Sequence, residues 1–310
     1  SRGLGDVYKR QTLLYIYFGM NWFDALNHSI AALSTGGFST KAESIGYYGS
    51  FGIEAVTIVL MLLGSTNFLA HLYLIRGGGK NFFRYCEVKF QLILCALAAP
   101  VLSAFLIYGG LEGHVGQGFR DGLFQVVTAL TTTGFQTVPS FAVWSSPLIM
   151  VMTLLMLIGG GTGSTAGGIK QIRVCIMLKS LCWSIRSKIS QKRLIHADGI
   201  YRISGYEYLK AEERLEASDF ILLYLGVFAA GTFILCACGF GIGDSMFEFA
   251  SALGTVGLSV GITGYDASPV VLWTETVGML AGRLEIYVIF VAAVQFGREI
   301  KDGYKKTEGR

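Results

Sequence analysis

Apolar residues in this 310-residue chain run in long blocks rather than in alternation. Five blocks approach the roughly 20 apolar residues that a helix needs to cross a bilayer. They are Phe51–Ile75, Val88–Tyr108, Pro147–Ile158 with its continuation, Phe220–Phe240 and Val270–Phe296. The third is short and runs into glycine. The composition is 52% hydrophobic and only 15% charged, with a mean hydropathy of +0.53. A soluble domain of this length carries more charge and shorter apolar runs, so the pattern predicts an all-α membrane protein.

Ser1–Gln11 is polar and lacks a signal-peptide apolar core, so it reads as a leader outside the fold. Thr12–Gly19 is apolar but too short to span, and reads as the latter part of a helix. The net charge of +4 is unevenly spread. Arg76, Lys80, Arg84 and Lys89 share one inter-span stretch, the segment from Lys170 to Arg214 is rich in base, and Arg298, Lys301, Lys305, Lys306 and Arg310 close the chain. The alternate connections hold only Lys41 and Arg120, beside Asp24, Glu43, Glu112, Asp121, Asp244, Glu248 and Asp266. Basic connections face the cytoplasm, so this segregation reflects membrane orientation and not a nucleic-acid surface. An acidic outer face also concentrates cations at an entrance.

Within this plan one stretch occurs three times without gaps. The copies run from Asp24 to Gly37-Phe38, from Asp121 to Gly134-Phe135 and from Asp244 to Gly257-Leu258. Each keeps an acid, then Ala-Leu, then a threonine, one variable residue and glycine. The part from the acid to the leucine is about three helical turns, too short to span, and the acid suits its N-cap. The predicted unit is span, short re-entrant helix, extended glycine loop, span. Irregular backbone at membrane depth is tolerated only where protein buries it or where it lines a water-filled cavity.

The loop residues suggest the chemistry. A dehydrated monovalent cation needs several oxygens, which main-chain carbonyls supply without a competing charge. Gly37, Gly134 and Gly257 permit backbone angles that turn carbonyls inward, and Thr35, Thr132 and Thr255 carry hydroxyl oxygens. Thr255-Val256-Gly257-Leu258 is close to the TVGYG sequence of potassium-channel filters. A single Thr-x-Gly would read as a helix end or a packing site; three in matching topology point to a lined pore.

A second irregular stretch, Leu157 to Lys170, interrupts the span after the second copy with Gly159, Gly160, Gly161, Gly163, Gly167 and Gly168. It imitates a dinucleotide or phosphate loop, but those need a preceding strand, and what precedes is an apolar helix. It reads instead as a broken helix lining a cavity. Arg283 lies inside an apolar block, where a charge faces a cavity or pairs with Glu275 or Glu285. His28 and His71 read as packing residues, and the cysteines Cys86, Cys95, Cys175, Cys182, Cys236 and Cys238 show no CxxC spacing and read as packing thiols. There is no Ser-His-Asp arrangement and no metal-ligand spacing, so an enzyme is not expected. A membrane enzyme would need ionisable residues gathered at membrane depth, and Arg283, Glu275 and Glu285 are the only candidates.

The sequence resembles the Trk/Ktr/HKT superfamily of potassium transporters, most closely its TrkH-type subunits. The resemblance runs from about Leu13 to Phe296. Its motifs are Gly36-Gly37-Phe38-Ser39-Thr40, Thr131-Thr132-Thr133-Gly134-Phe135, Gly163-Ser164-Thr165-Ala166-Gly167-Gly168-Ile169-Lys170 and Gly282-Arg283-Leu284-Glu285. It implies repeated helix–pore-helix–helix units, here units two to four of a four-unit pseudo-tetrameric pore. The corresponding division is a leader at 1–11, a second unit at 12–76, a third unit with the glycine-rich loop at 77–185, a cytoplasmic linker at 186–217, a fourth unit at 218–297 and a tail at 298–310.

By the same resemblance, Thr35, Gly36, Gly37, Thr132, Thr133, Gly134, Thr255, Val256 and Gly257 form a potassium filter. Arg283, the glycines of the loop and Lys170 then form a gate beneath it, although Lys170 by itself reads as an ordinary cytoplasmic anchor. The implied activity is potassium uptake by a multi-pass protein of the plasma membrane, the bacterial inner membrane. Potassium is then the bound ion, with no organic cofactor. The implied partners are membrane lipid, a second copy in a homodimer and a cytoplasmic nucleotide-binding regulatory subunit of the TrkA/KtrA kind, with no nucleic acid. The alternative is a sodium-coupled or sodium-selective carrier built on inverted repeats. It is disfavoured because all three glycine loops fall on the acidic side.

Overall fold

The structure is a computed structural model that describes residues 11–75, 79–111, 113–189 and 199–283, with 286, 287, 291, 292, 294–296 and 298. The leader up to residue 10, Arg76, Glu112, residues 190–198 of the linker, Leu284, Glu285 and the tail from residue 299 lie outside the described residues. Residues 11–17 are helical. Among the described residues the α-helices that follow are α1 (Trp22–Leu33), α2 (Phe51–Gly64), α3 (Phe68–Ile75), α4 (Gly79–Arg84), α5 (Cys86–Tyr108), α6 (Val115–Leu130), α7 (Ser146–Ile158), α8 (Gln171–Ile189), α9 (Ala211–Ala237), α10 (Ile242–Leu253) and α11 (Pro269–Arg283). Between α8 and α9 an antiparallel ribbon, β1 (Gly199–Arg202) and β2 (Gly205–Tyr208), sets Tyr201 opposite Tyr206. Alternating tyrosines on either side of an Ile203-Ser204 turn explain it, because aromatic residues suit a pleated, half-exposed surface.

Among the described residues α5 and α9 are each long and apolar enough to cross a membrane alone. Phe51–Ile75 is not one straight span. Its two helices meet at 109°, with the break at Ser65–Asn67. The Asn67 side chain causes this locally, since its Oδ1 accepts the Leu69 N–H at 2.8 Å and caps the second helix. Apolar content alone could not reveal the bend.

The core gathers where the short helices α6 and α10 lie. Residues 124–133 are all buried, as are 247–254, so both helices end surrounded by protein. Phe124, Leu130, Phe247 and Leu253 are fully buried there, and α5 runs along α6 while α7 and α11 flank α10. A short helix buried all round reads as apolar on every face towards its end. This accounts for the Val126–Leu130 and Phe247–Leu253 segments.

Both basic residues of the acidic face meet acids. Lys41 Nζ lies 3.4 Å from Asp24, and Arg120 forks onto Glu54, with Nε to Oε2 at 3.1 Å and Nη2 to Oε1 at 2.8 Å. Glu54 is 4% exposed, so this pair ties α2 to α6 in a water-poor place. Arg120→Ala should cost about 3 kcal/mol by leaving a buried carboxylate uncompensated. The thermal midpoint in detergent should fall, and adding Glu54→Leu should restore most of it. An unchanged midpoint in the single variant would show that the pair contributes nothing.

Candidate functional site

The helices α1, α6 and α10 end in the same way. After each helix comes Thr35, Thr132 or Thr255, with φ of 49°, 52° and 53°. The threonine N–H and the next N–H turn back onto helix carbonyls. Thr35 donates to Ala32 O at 3.3 Å and Gly36 to Ala31 O at 2.8 Å. Thr132 and Thr133 donate to Ala129 and Thr128 at 3.2 and 3.0 Å, and Thr255 and Val256 to Ala252 and Ser251 at 3.1 and 2.8 Å. This is a Schellman ending, whose left-handed position normally holds glycine. A β-branched residue there costs on the order of 1–3 kcal/mol, so each threonine is held against strain.

The following glycines bring the three loops together. A Cβ on Gly37 would stand 1.9 Å from the Thr133 carbonyl oxygen, and one on Gly134 would stand 1.9 Å from the Val256 carbonyl oxygen. No side chain fits at either point. The loops therefore lie side by side in chain order, with Gly37 and Gly134 each against the main chain of the next. At Gly257 an added Cβ meets nothing within 4 Å among the described residues. Each helix C-terminus carries about half a negative charge from its dipole, and all three are directed to these loops. The Gly134 and Gly257 N–H groups are held by Thr128 Oγ1 and Ser251 Oγ, both at 3.1 Å.

The acids that open each copy are not N-caps. Asn21, His114 and Gly241 precede the helices; Asp24 and Asp244 are the third helical residues, and Asp121 lies two turns in. Asp24 and Asp121 instead accept hydroxyl bonds from the segment leaving the glycine loop: Thr40 to Asp24 and Thr137 to Asp121, both at 2.6 Å. The Thr40 bond is the main influence holding the Asp24 carboxyl below the usual range, while burial and the bond to Asp24 push the Tyr48 phenol up to about 12.

One turn further along the same helices, His28 Nε2 lies 2.9 Å from Ser39 Oγ, and Gln125 donates to Thr137 at 3.3 Å. In the third copy Glu248 takes over, accepting Ser259 Oγ at 2.6 Å, Val260 N at 2.9 Å and Thr263 Oγ1 at 2.5 Å. The Thr263 hydroxyl also lies 2.8 Å from Glu275, so Glu275 joins this anchor and not Arg283. His28 and His71 are satisfied by main-chain carbonyls of Asp24 and Leu63. Cys95 and Cys175 are buried, the latter hydrogen-bonded to the Cys86 thiol, whereas Cys182 and Cys238 are exposed.

The segment between α7 and α8 lies against all three threonines. Thr35 Oγ1 donates to Thr165 Oγ1 at 2.9 Å, and the Gly167 N–H donates to Thr132 Oγ1 at 2.7 Å. A Cβ on Gly167 would be 2.2 Å from Gly254 O and 2.7 Å from Thr255 Oγ1. Gly159 and Gly168 pass so closely that a Cβ on Gly159 would be 2.7 Å from Gly168 Cα, which pinches the loop at its neck. Gly160 N reaches Gly167 O at 3.3 Å across this neck.

The loop is tied to the bend between α2 and α3: Gly161 N to Ser65 O at 2.8 Å, Asn67 Nδ2 to Thr162 O at 2.6 Å, and Phe68 N to Gly163 O at 3.2 Å. Arg283, which is exposed, donates from Nη1 to Thr165 O at 2.9 Å, and the Lys170 ammonium donates to Ala166 O.

Glu87 is the strongest anchor of this loop, and its role was not visible in the sequence. It is 2% exposed; its Oε1 accepts Thr162 N at 2.8 Å and Ile172 N at 3.2 Å, and its Oε2 accepts the Tyr85 hydroxyl. Gln171 supports the loop at Gly159 O (3.0 Å), and Gln91 reaches Ser65 Oγ at 2.6 Å. The expectation that Arg283, Glu275 and Glu285 are the only ionisable groups at depth is therefore corrected: Glu54, Glu87 and Glu248 are also buried among the helices. The one available signal was an acid at the very start of an apolar block, beside Val88.

Glu87→Ala should strip the Thr162 N–H of the loop and the Ile172 N–H at the start of α8 of their acceptor, at about 1–3 kcal/mol each. Hydrogen exchange at Thr162 and Ile172 should speed up by roughly tenfold or more. Unchanged protection would show that other contacts hold the loop.

The profile of the TrkH family, described as a cation transport protein, matches residues 18–297. The Trk system potassium uptake protein TrkH of Halomonas elongata is 30% identical over 289 residues, which is 90% of this chain and 57% of that protein. TrkH of Escherichia coli K12 is 32% identical over 287 residues, 89% of this chain and 56% of that one. The crystal structure of the potassium transporter TrkH from Vibrio parahaemolyticus superposes with a TM-score of 0.81 at 27% identity, covering 93% of this chain and 61% of that chain. This chain thus spans little more than half the length of those two relatives. With its helical architecture and the profile match over nearly all of its length, the chain belongs to the TrkH family of cation transport proteins.

Proposed function

We propose that the protein takes up potassium across the plasma membrane through a filter of main-chain oxygens at Thr35–Gly37, Thr132–Gly134 and Thr255–Gly257. The observation that carries this reading is the threefold recurrence of one strained helix ending, with Gly37 against the Thr133 carbonyl and Gly134 against the Val256 carbonyl. Three helix C-termini directed at one place favour a cation there, and carbonyl oxygens are the ligands that replace its hydration shell. In this reading a fourth loop sits at the open flank of Gly257. Trp22, Phe23, Leu26 and Ile30 of α1, exposed apolar residues at the other end of the row, form the facing flank. Relatives named as potassium uptake proteins support the choice of ion.

The gate in this reading is the segment Gly159–Gly168 with Lys170 and Arg283. It occupies the underside of all three threonines, and the hydrogen bond from Arg283 to Thr165 O fixes a positive charge against it. The basic cytoplasmic face would meet the regulatory subunit, and a second copy would complete a dimer.

The test is rubidium-86 uptake by the full reading frame in a potassium-uptake-deficient strain, with sodium as competitor. Uptake blocked by potassium and untouched by sodium is expected; competition by sodium would overturn the ion assignment in favour of a sodium carrier. A unit charge at roughly 6 Å from a passing cation opposes it by about 3 kcal/mol at an effective dielectric near 20. Arg283→Ala should therefore raise resting flux by at least tenfold. An unchanged leak would remove Arg283 from the gate.

A further inference from the structure

Two cavities lie on the far side of the glycine loop from the three threonines. The smaller, about 160 Å³, is directly under the loop and is bounded by Ser164, Gly167, Lys170 and Arg283. The larger, about 800 Å³, reaches the ribbon and the start of α9, where Glu213, Glu216 and Asp219 line its wall. Two residues, Arg173 and Phe220, are common to both linings. The Arg173 guanidinium lies over the Phe220 ring, 3.7 Å from carbon to centroid, and its Nη1 donates to Ile169 O at 3.1 Å. Phe220 is 4% exposed and stacks on Tyr224 and Tyr287, each at 6.1 Å.

We propose that Arg173 and Phe220 form an inner gate, the partition that a cation must pass between the small cavity under the loop and the large vestibule. The proposal rests on the reading of the loop as the floor of a cation path. A guanidinium flat on a ring fills a neck with two rigid planes and sets a positive charge in it. Beyond the neck the wall carries Glu213, Glu216 and Asp219 against Arg202, which is bound to Glu207 and Glu213, an acidic surplus that favours cations on the vestibule side.

The pair is also placed to move with the loop. Arg173 sits on the first turn of α8, three residues after Lys170, and that turn is bonded to the loop through Gln171 N to Gly160 O at 2.9 Å and Arg173 N to Lys170 O at 3.1 Å. Any displacement of the loop that carries Ile169 O with it pulls on the guanidinium bound to that oxygen. Loop opening and withdrawal of Arg173 from the ring are then one motion.

The test measures access instead of flux. Ser164, which faces the small cavity, is replaced in the full protein as Ser164→Cys. Everted membrane vesicles are treated with a cationic methanethiosulfonate, and labelling of the peptide containing residue 164 is read by mass spectrometry. Labelling should be slow with the pair intact and faster by roughly tenfold or more in Phe220→Ala and in Arg173→Ala. Phe220→Leu and Arg173→Met serve as gentler variants if the alanines fail to fold. Equal rates with and without the pair would overturn the inner gate. Failure of rubidium uptake in unaltered protein would instead strike the filter reading and leave the labelling result unaffected.

Discussion

An unpaired N–H or C=O in hydrocarbon costs several kcal/mol, so a membrane protein that breaks its helices must provide a partner for every group it frees. This chain ends or interrupts a helix at Ser34, Ser65, Thr131, Gly159 and Gly254. It solves the problem by setting the interruptions against each other. The carbonyls of Gly64 and Ser65, released at the α2–α3 bend, are taken by Thr165 Oγ1 at 3.1 Å and Gly161 N at 2.8 Å. The loop groups left over go to Glu87, Gln171 and Thr132. The bend, the three helix ends and the glycine loop therefore depend on one another, and none of them is a stable arrangement by itself.

The three copies share a backbone and differ in the side chains that secure it. Where the first uses Asp24, His28 and Lys41, the second uses Asp121 and Gln125, and the third moves its carboxylate one turn along to Glu248 and adds Glu275. In every case the short helix reaches out to the chain segment that leaves its own glycine loop. That clamp fixes both limbs of the loop, as the proposed filter would require. In all three a carboxylate accepts a hydroxyl from that segment, so the backbone path and its acidic acceptor recur among the copies while the accessory groups beside it vary.

Much of this was legible in the sequence. Apolar blocks located the long helices, and the aligned Asp…Ala-Leu…Thr-x-Gly copies located the three helix ends. The acids were misassigned as caps because the cap rule is local, whereas the Asp24–Thr40 and Asp121–Thr137 bonds close over a loop whose path no local rule predicts. The bend at Ser65 was hidden inside an apolar run. The glycine stretch was recognisable as irregular, but Glu87 binds it from 75 residues upstream, and sequence alone gives no reason to join the two. Small residues announce where a backbone departs from regularity; what catches it is a matter of tertiary structure.

The strained threonines link the loop endings to the segment beneath them. Glycine at positions 35, 132 and 255 would relieve the left-handed strain, at a gain on the order of 1 kcal/mol or more for each residue. It would also delete the hydroxyls that bond Thr165 Oγ1 and the Gly167 N–H. The hydroxyl bonds therefore offset part of the strain, and they do so only while the glycine segment is seated. If that segment moves as the gate reading requires, Thr35 and Thr132 lose this support together, and the pull towards ordinary backbone angles acts on the carbonyls beside them. Gate position and filter geometry are then coupled through two hydrogen bonds of 2.9 and 2.7 Å, with no need for a longer path between them.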